Sequence, residues 1–379
     1  MKDYYKKSLA LHKKNGGKIG TLTKVLLRNR DELSLAYTPG VAAVSIEIGK
    51  DSKKAFEYTL KKNTVAIVTD GSAILGLGNL GPYAAIPVME GKAAILKEFA
   101  NVDAFPICLD TQDAEEIIKA VKQIAPVFGA INLEDISAPR CFEIENRLRK
   151  ELLIPVMHDD QHGTATVVLA GLINSIKLRK LKKEDAKIVL NGAGAAGTAV
   201  AELLLKYGFK NIIVCDSHGA VYDGRADLNS DKVELAKKTN LNKVKGGLSD
   251  VLIGVHIFIG VSKAGLMALD MVRSMAKNPI IFALANPVPE IMPELAKSAG
   301  AFIVATGRSD FGNQLNNSLG FPGLFRGALD HHIKQFDDQI FIRAAKAIAS
   351  FVKKPTTEKI LPTQFEKGLV RAVAQAVRE

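Results

Sequence analysis

An α/β fold in two domains is what this sequence predicts, on three observations. Short apolar strands alternate with helical stretches along most of the chain, the pattern of parallel sheets covered by crossover helices. A glycine turn of the form G-x-G-x-x-G opens a second series of the same kind near the middle. Several of the early strands also end in carboxylates, and in open parallel sheets ligands lie beyond those ends.

In order, residues 1–60 read as helical and amphipathic, interrupted by "YTPGVA", where Pro39-Gly40 forces a turn. The strand "TVAIVTD" (64–70) runs into the glycine-rich "GSAILGLGNLG" (71–81), and a helix follows over 84–100. The alternation then repeats: strand "DAFPICLD", helix "TQDAEEIIKAVKQIAP", strand "FGAINLED", helix "CFEIENRLRKEL", strand "IPVMHDD". These strands end at Asp70, Asp110, Glu134-Asp135 and Asp159-Asp160. A helix is expected from near Gly163-Thr164 to about residue 180. The second series opens with "AKIVLNGAGAAGTAVAELLLKYG" (186–208), and its later strands are "NIIVCD", "VHIFIGVS", "PIIFALANP" and "AFIVATG". From about 335 the chain reads as helical, with Pro355 and Pro362 as breaks.

Bulk properties narrow the function classes. At 379 residues, two domains are expected. The net charge of +11 is diffuse, because its densest run, "LRKLKKEDAK", is mixed with acids. A solvated basic surface or a field attracting anionic substrates accounts for it, and no nucleic-acid motif is present. Cys108, Cys141 and Cys215 show no pairing pattern, as expected in a reducing compartment. The N-terminal stretch lacks the apolar run of a signal peptide, and "VLIGVHIFIGVS" is shorter than the ~20 residues of a spanning helix. A cytoplasmic protein without membrane association is expected.

The glycine turn has a mechanism in its context. Gly192, Gly194 and Gly197, with Ala193, Ala195 and Ala196 between them, follow the strand "KIVL" and precede an apolar helix. The first glycine makes the turn, the second admits a pyrophosphate, and the third lets helix and strand approach. Asp216, ending the next strand 19 residues past Gly197, is placed to accept hydrogen bonds from ribose hydroxyls. Its charge would repel a 2′-phosphate and favours NAD, while His218 and Arg225 nearby keep NADP open.

The segment "IPVMHDDQHGTATVV" admits two metals. His158 and His162, four apart, have the spacing of a zinc pair, but Asp159 stands where a zincin has Glu, and no third ligand has a familiar spacing. Glu134-Asp135 and Asp159-Asp160 end successive strands, and carboxylate oxygens converging from neighbours suit Mg²⁺ or Mn²⁺. Acidic strand ends that are merely solvated are the alternative.

Several long segments together resemble the malic enzymes, of the short bacterial and archaeal type. They are "AYTPGVA" (36–42), "TDGSAILGLGNLGPYAAIPVMEGKAAILKEFA" (69–100), "INLEDISAPRCFEIE" (131–145), "PVMHDDQHGTA" (155–165), "NGAGAAG" (191–197), "ALANPVPE" (283–290) and "ATGRSDFGNQLNNSLGFPG" (305–323). The resemblance implies oxidative decarboxylation of L-malate to pyruvate and CO₂ with NAD(P) and with Mg²⁺ or Mn²⁺, NAD being preferred on the reading of Asp216. It implies a substrate- and metal-binding α/β domain over 1–163 and a Rossmann-type NAD(P)-binding domain over 164–379, with C-terminal helices packing back. It further implies a homodimer.

By the same resemblance, Glu134, Asp135 and Asp160 would be metal ligands. Lys92 would be the general base on the C2 hydroxyl, with Asp159 holding its amine. Tyr37 would protonate C3 of the enolate. Asn286 and Asn317 would line the malate and nicotinamide pocket, with Asn316 beside them. A lysine serving as base has to be partly neutral near neutral pH, which burial and a nearby cation can bring about. One departure stands out. Many larger members carry an arginine that grips a substrate carboxylate where this chain has "DGSAILGLG", and Asn79 replaces the usual Asp of "GLGD". Ser72, the asparagines or another subunit are the expected substitutes. A decarboxylase or malolactic-type enzyme without net redox change, and a nucleotide-binding regulatory protein, are the alternatives to this reading.

Overall fold

Two parallel sheets face each other across a cleft in the computed structural model, which describes residues 4–378. The first sheet is built from β1 (Thr64–Thr69), β2 (Asp103–Cys108), β3 (Ala130–Leu133) and β4 (Val156–His158), in the order β2-β1-β3-β4. Strand β1 reads as an unbroken apolar run because both its faces are covered. Val65 and Ile67 point to one core with Met89 and Leu96, while Ala66 and Val68 point to another with Ile117 and Leu148.

The second sheet holds β5 (Lys187–Asn191), β6 (Asn211–Asp216), β7 (Gly219–Ala220), β8 (Ile257–Gly260), β9 (Ile280–Ala283) and β10 (Ile303–Thr306). Its order is β10-β9-β8-β5-β6-β7, all parallel except the short β7. The chain leaves β5 toward β6 and returns to its other side at β8, so the switch in strand order opens a crevice beside the glycine turn.

The helix Asp159–Arg179 joins the two sheets. It starts directly from β4 rather than near Gly163-Thr164, and it crosses the expected domain boundary without a break. Asp159 and Asp160 thereby occupy its first turn, where carboxylates are favoured by the partial positive charge of the free N–H groups. Helices Phe321–Asp330, Asp338–Phe351 and Leu369–Ala376 return to this region and complete one core continuous with both sheets. Asn174, buried on the long helix, donates to the carbonyls of Ala349 (2.9 Å) and Ile360 (2.8 Å) and ties the C-terminal part down.

The first sixty residues behave differently. Helices Arg30–Ala36 and Val41–Lys50 have no buried residue, and Leu33, Leu35, Val41, Val44 and Ile46 are exposed. The N-terminal helix Tyr4–Asn15 lies along the edge of the cleft. Among the described residues, no helix is long and apolar enough to cross a membrane.

Candidate active site

The register of the first sheet brings the acidic strand ends together. Leu133 lies opposite His158, so Glu134-Asp135 and Asp159-Asp160 emerge side by side from neighbouring strands. Carboxylate oxygens of Glu134, Asp135 and Asp160 lie within 4.8 Å of one another, the one group with metal-binding spacing among the described residues. Asp135 takes a left-handed backbone, φ 52°, which is uncommon outside glycine. Its amide donates to Asp160 Oδ2 at 2.8 Å, which fixes the two carboxylates in register. Asp110 takes no part: it follows β2, on the far edge of the sheet, and is exposed.

Burial and repulsion load this cluster. Burial, and then Asp160, push the Asp135 carboxyl up to about 7. Burial raises Glu134 well above the usual carboxylate range, with Lys92 opposing it and Asp160, Asp159 and Asp135 adding to it. Asp135 Oδ2 is buried without a hydrogen-bond partner. An oxygen-only donor set with an unsatisfied buried oxygen fits a hard divalent cation such as Mg²⁺ or Mn²⁺.

Lys92, on the helix Gly81–Ala100, reaches into the same corner. Its ammonium is bonded to Asp159 Oδ2, lies 2.6 Å from Glu134 Oε2, and sits 4.4 Å from the Phe321 ring centre. Burial pulls its pKa down, but the charges of Asp159, Glu134 and Asp160 outweigh burial and hold it above its ordinary value. Burial thus works toward the neutral lysine that a general base requires, and the three carboxylates work against it. Gly163 makes the contact possible, because a Cβ there would fall 1.9 Å from Asp159 Oδ1.

The two histidines part company: His158 Nε2 lies 3.5 Å from Asp160 Oδ2, whereas His162 turns to Glu145. His158 is fully buried at the start of the long helix, and burial lowers its pKa. His162 Nε2 bonds Glu145 at 3.0 Å, and Glu145 also accepts from the His158 amide and from Gln161. The His162 ring and the His158 amide hold a buried glutamate, and the two imidazoles have different partners rather than forming a zinc pair.

Across the cleft, the glycine turn divides its labour. Gly192 has φ +128° and Val261 O would stand 2.7 Å from a Cβ, Gly194 faces open space, and a Cβ at Gly197 would lie 1.7 Å from Gly192 O. Turn, opening and close packing thus fall to the three glycines in sequence order. Ala193 packs toward the core, Ala195 begins the helix Ala195–Tyr207, and Ala196 lines the cleft. Asp216 is engaged already. Arg225 donates to Oδ1 at 3.0 Å and to Oδ2 at 2.5 Å, Lys232 to Oδ2 at 2.7 Å, and the His218 amide to Oδ1 at 3.0 Å. Burial opposes these bonds, yet they hold the carboxyl far below its usual range.

The cleft, ≈ 600 Å³, collects residues from the carboxyl ends of both sheets. Lys92, Glu134, Asp135 and Asp160 line one side, and Ala196, Ser262, Asn286, Asn316 and Asn317 the other. Asn316 is partly occupied, since its Oδ1 accepts from the Ser318 amide. Ser72 does not line the cleft: its hydroxyl donates to Asp70 Oδ1 at 2.6 Å and accepts from the Ser137 amide at 2.9 Å. Tyr37 is also outside it, 67% exposed at the end of the Arg30–Ala36 helix. Sequence reasoning missed Ser8, His12 and Lys18, which line the cleft from the N-terminal segment, and Phe321 beneath Lys92. The recurrence of His12 and Lys18 on a polar helix and its exit loop gives no pattern distinguishable from a solvated basic surface.

Two family models match this chain: the malic enzyme N-terminal domain over residues 16–149 and the malic enzyme NAD binding domain over residues 161–378. The chain is 54% identical over 373 residues to a bifunctional malic/malolactic enzyme of Bacillus subtilis, covering 98% of this chain and 91% of that one. It is 56% identical over 366 residues to an NAD-dependent malic enzyme of Geobacillus stearothermophilus, covering 96% and 76%. The crystal structure of an NAD-dependent malic enzyme from Thermotoga maritima superposes with a TM-score of 0.95 at 48% identity, covering 98% of each chain.

Proposed function

The chain belongs to the malic enzyme family, an NAD(P)-dependent oxidoreductase by that membership, and from this premise we propose that it converts L-malate and NAD to pyruvate, CO₂ and NADH, in dependence on a divalent metal that is not consumed. The observation that carries the reading is the placement of Lys92 against Glu134, Asp135 and Asp160 in a cleft whose opposite wall is the glycine turn.

Glu134, Asp135 and Asp160 would hold Mg²⁺ or Mn²⁺, which supplies Lewis-acid stabilisation of negative charge on the C2 oxygen. Those carboxylates then no longer bind the Lys92 proton so tightly, and the lysine approaches the neutral state a general base requires. Lys92 Nζ accepts the C2 hydroxyl proton as hydride leaves C2 for the nicotinamide, and Asp159 steadies the resulting ammonium. Loss of CO₂ leaves an enolate, and the Tyr37 phenol delivers a proton to its C3. Asn286 and Asn317 orient substrate and nicotinamide from the far wall.

Tyr37 cannot serve that role from its own cleft as folded here, which supports a homodimer. The helices Arg30–Ala36 and Val41–Lys50, which flank Tyr37 in the chain, leave Leu33, Leu35, Val41, Val44 and Ile46 exposed, apolar side chains suited to contact with a second copy that receives the phenol. NAD is the proposed cofactor, because Arg225 spends its guanidinium on Asp216 and the carbonyl of Ala220 and has little left for a 2′-phosphate. The free thiols Cys108, Cys141 and Cys215 support a cytoplasmic setting.

The test is absorbance at the reduced-nicotinamide band with L-malate, Mn²⁺ and either NAD or NADP, with and without EDTA. A metal-dependent rise with stoichiometric pyruvate, faster with NAD, is expected. The relative named a malic/malolactic enzyme favours one second reading, in which the cofactor is retained and lactate is formed. Lactate without free NADH would establish that reading instead.

A further inference from the structure

A four-carbon dicarboxylate brings two negative charges into the cleft, and the acidic cluster with its metal accounts for only one end. The groups lining the cleft leave few partners for the other end. Lys92 is committed to Asp159 and Glu134. Ser72, expected to replace the missing arginine, is turned into the first sheet. The asparagines are neutral. The remaining basic groups are Lys18 and His12.

Lys18 is unusually available. Its Nζ donates to a neutral acceptor, the Pro87 carbonyl at 2.5 Å, and makes no ion pair among the described residues. Its amide, not its ammonium, holds Glu90, at 3.2 Å. The ammonium lies over Gly91, where a Cβ would be 3.5 Å from Nζ, so it rests against bare helix backbone one residue from Lys92. Partial burial lowers its pKa against the pull of Glu90. An anion arriving here gains a charge-assisted bond without first breaking an ion pair. His12 backs the same wall: its Nδ1 lies 2.8 Å from the Ser8 carbonyl, and its Nε2 is closed to water with no partner.

We propose that Lys18, supported by His12 on the N-terminal helix, binds the substrate carboxylate that the metal does not take. The inference rests on the malate reading above and deepens it by naming the group that selects a dicarboxylate. That carboxylate is the one released as CO₂, so pyruvate, once formed, has nothing for Lys18 to hold. A cation on the departing carboxylate also stabilises the ground state, so its contribution falls on capture of malate rather than on turnover.

The experiment compares wild type, Lys18→Gln and Lys18→Arg in the Mn²⁺-loaded full chain, measuring kcat and KM for L-malate and the inhibition constant of pyruvate. For Lys18→Gln the malate KM is expected to rise about tenfold or more, with kcat within about twofold and the pyruvate constant unchanged. Lys18→Arg, which keeps the charge, should recover most of the loss. An unchanged malate KM overturns the proposal. So does a parallel rise in the malate and pyruvate constants, which would mark Lys18 as a packing residue of the cleft wall. Absence of malate-dependent NADH and pyruvate in the wild type would instead overturn the underlying reaction, before any variant is made.

Discussion

Replacing Gly163 by Ala tests whether the Lys92–Asp159 contact matters for turnover. A Cβ at 163 would stand 1.9 Å from Asp159 Oδ1 and 3.3 Å from Asn317 Cβ. To reach an ordinary contact of about 3.4 Å, the carboxylate has to retreat by about 1.5 Å. It cannot simply rotate, because Asp159 is fully buried and its other oxygen holds Lys92. Removing one partner of a buried ion pair costs about 3–5 kcal/mol, and lengthening the pair by this amount should forfeit about half. The helix gains up to about 1 kcal/mol from exchanging glycine for alanine, so the net effect is destabilising by about 1–2 kcal/mol. Turnover suffers more, since misplacing a reacting group by about 1 Å costs on the order of 10²-fold. The assay is kcat from NADH formation, with NADH affinity followed by fluorescence as a control on the second domain. The expected result is a kcat reduced about 10²-fold with NADH affinity within about twofold. A kcat within about threefold of wild type would refute the reasoning.

Other outcomes follow from the same geometry. Gly197→Ala sets a Cβ 1.7 Å from Gly192 O and must push the helix off its strand; NADH affinity should fall at least about tenfold while Mn²⁺ affinity, read by calorimetry, stays as it was. In metal-free protein, Asp135 has its carboxyl raised to about 7, so between its unfolded value and that pH the folded state binds the extra proton. Stability in EDTA should therefore decline as pH rises from about 4 to about 8, by a few kcal/mol at most, and Mn²⁺ should restore it at the alkaline end. Calorimetric unfolding at both ends checks this, and a slope equally steep in Asp135→Asn would remove Asp135 as its source. Tyr37→Phe should slow pyruvate formation from malate while reduction of oxaloacetate by NADH largely survives, and equal loss of both would count against the phenol as the acid at C3.

Much of this was legible because single residues carried unambiguous physics. Strand β1 could be read from "TVAIV" because a strand covered on both faces has no polar side to interrupt it. Gly192 and Gly197 could be assigned because a positive φ at the first and close backbone at the second exclude a side chain, which leaves Gly194 as the one facing open space. The start of the helix at Asp159 was missed for a reason that is equally physical. "DDQHG" has no apolar periodicity, and acids at a strand end read equally as ligands and as first-turn residues; the structure puts Asp159 and Asp160 in the first turn. The position of Ser72 was not legible, since its hydroxyl is claimed by Asp70 and Ser137, the latter 65 residues away. Nor was the state of Lys92. Sequence supplies the residue types near a base, but the balance of burial against three carboxylates depends on distances.

The helix Asp159–Arg179 has a consequence for how such a protein can be inherited. Its first turn presents Asp159 to Lys92 and Asp160 to the acidic cluster, and its later turns are buried in the core shared with the second sheet. A recombination joint placed anywhere along it would graft one lineage's acids onto another lineage's nucleotide-binding half, with the rotational phase of the splice deciding whether both ends still fit. A shuffled chimera is therefore expected to retain function only when its crossover falls outside residues 159–179, so that the helix is inherited whole.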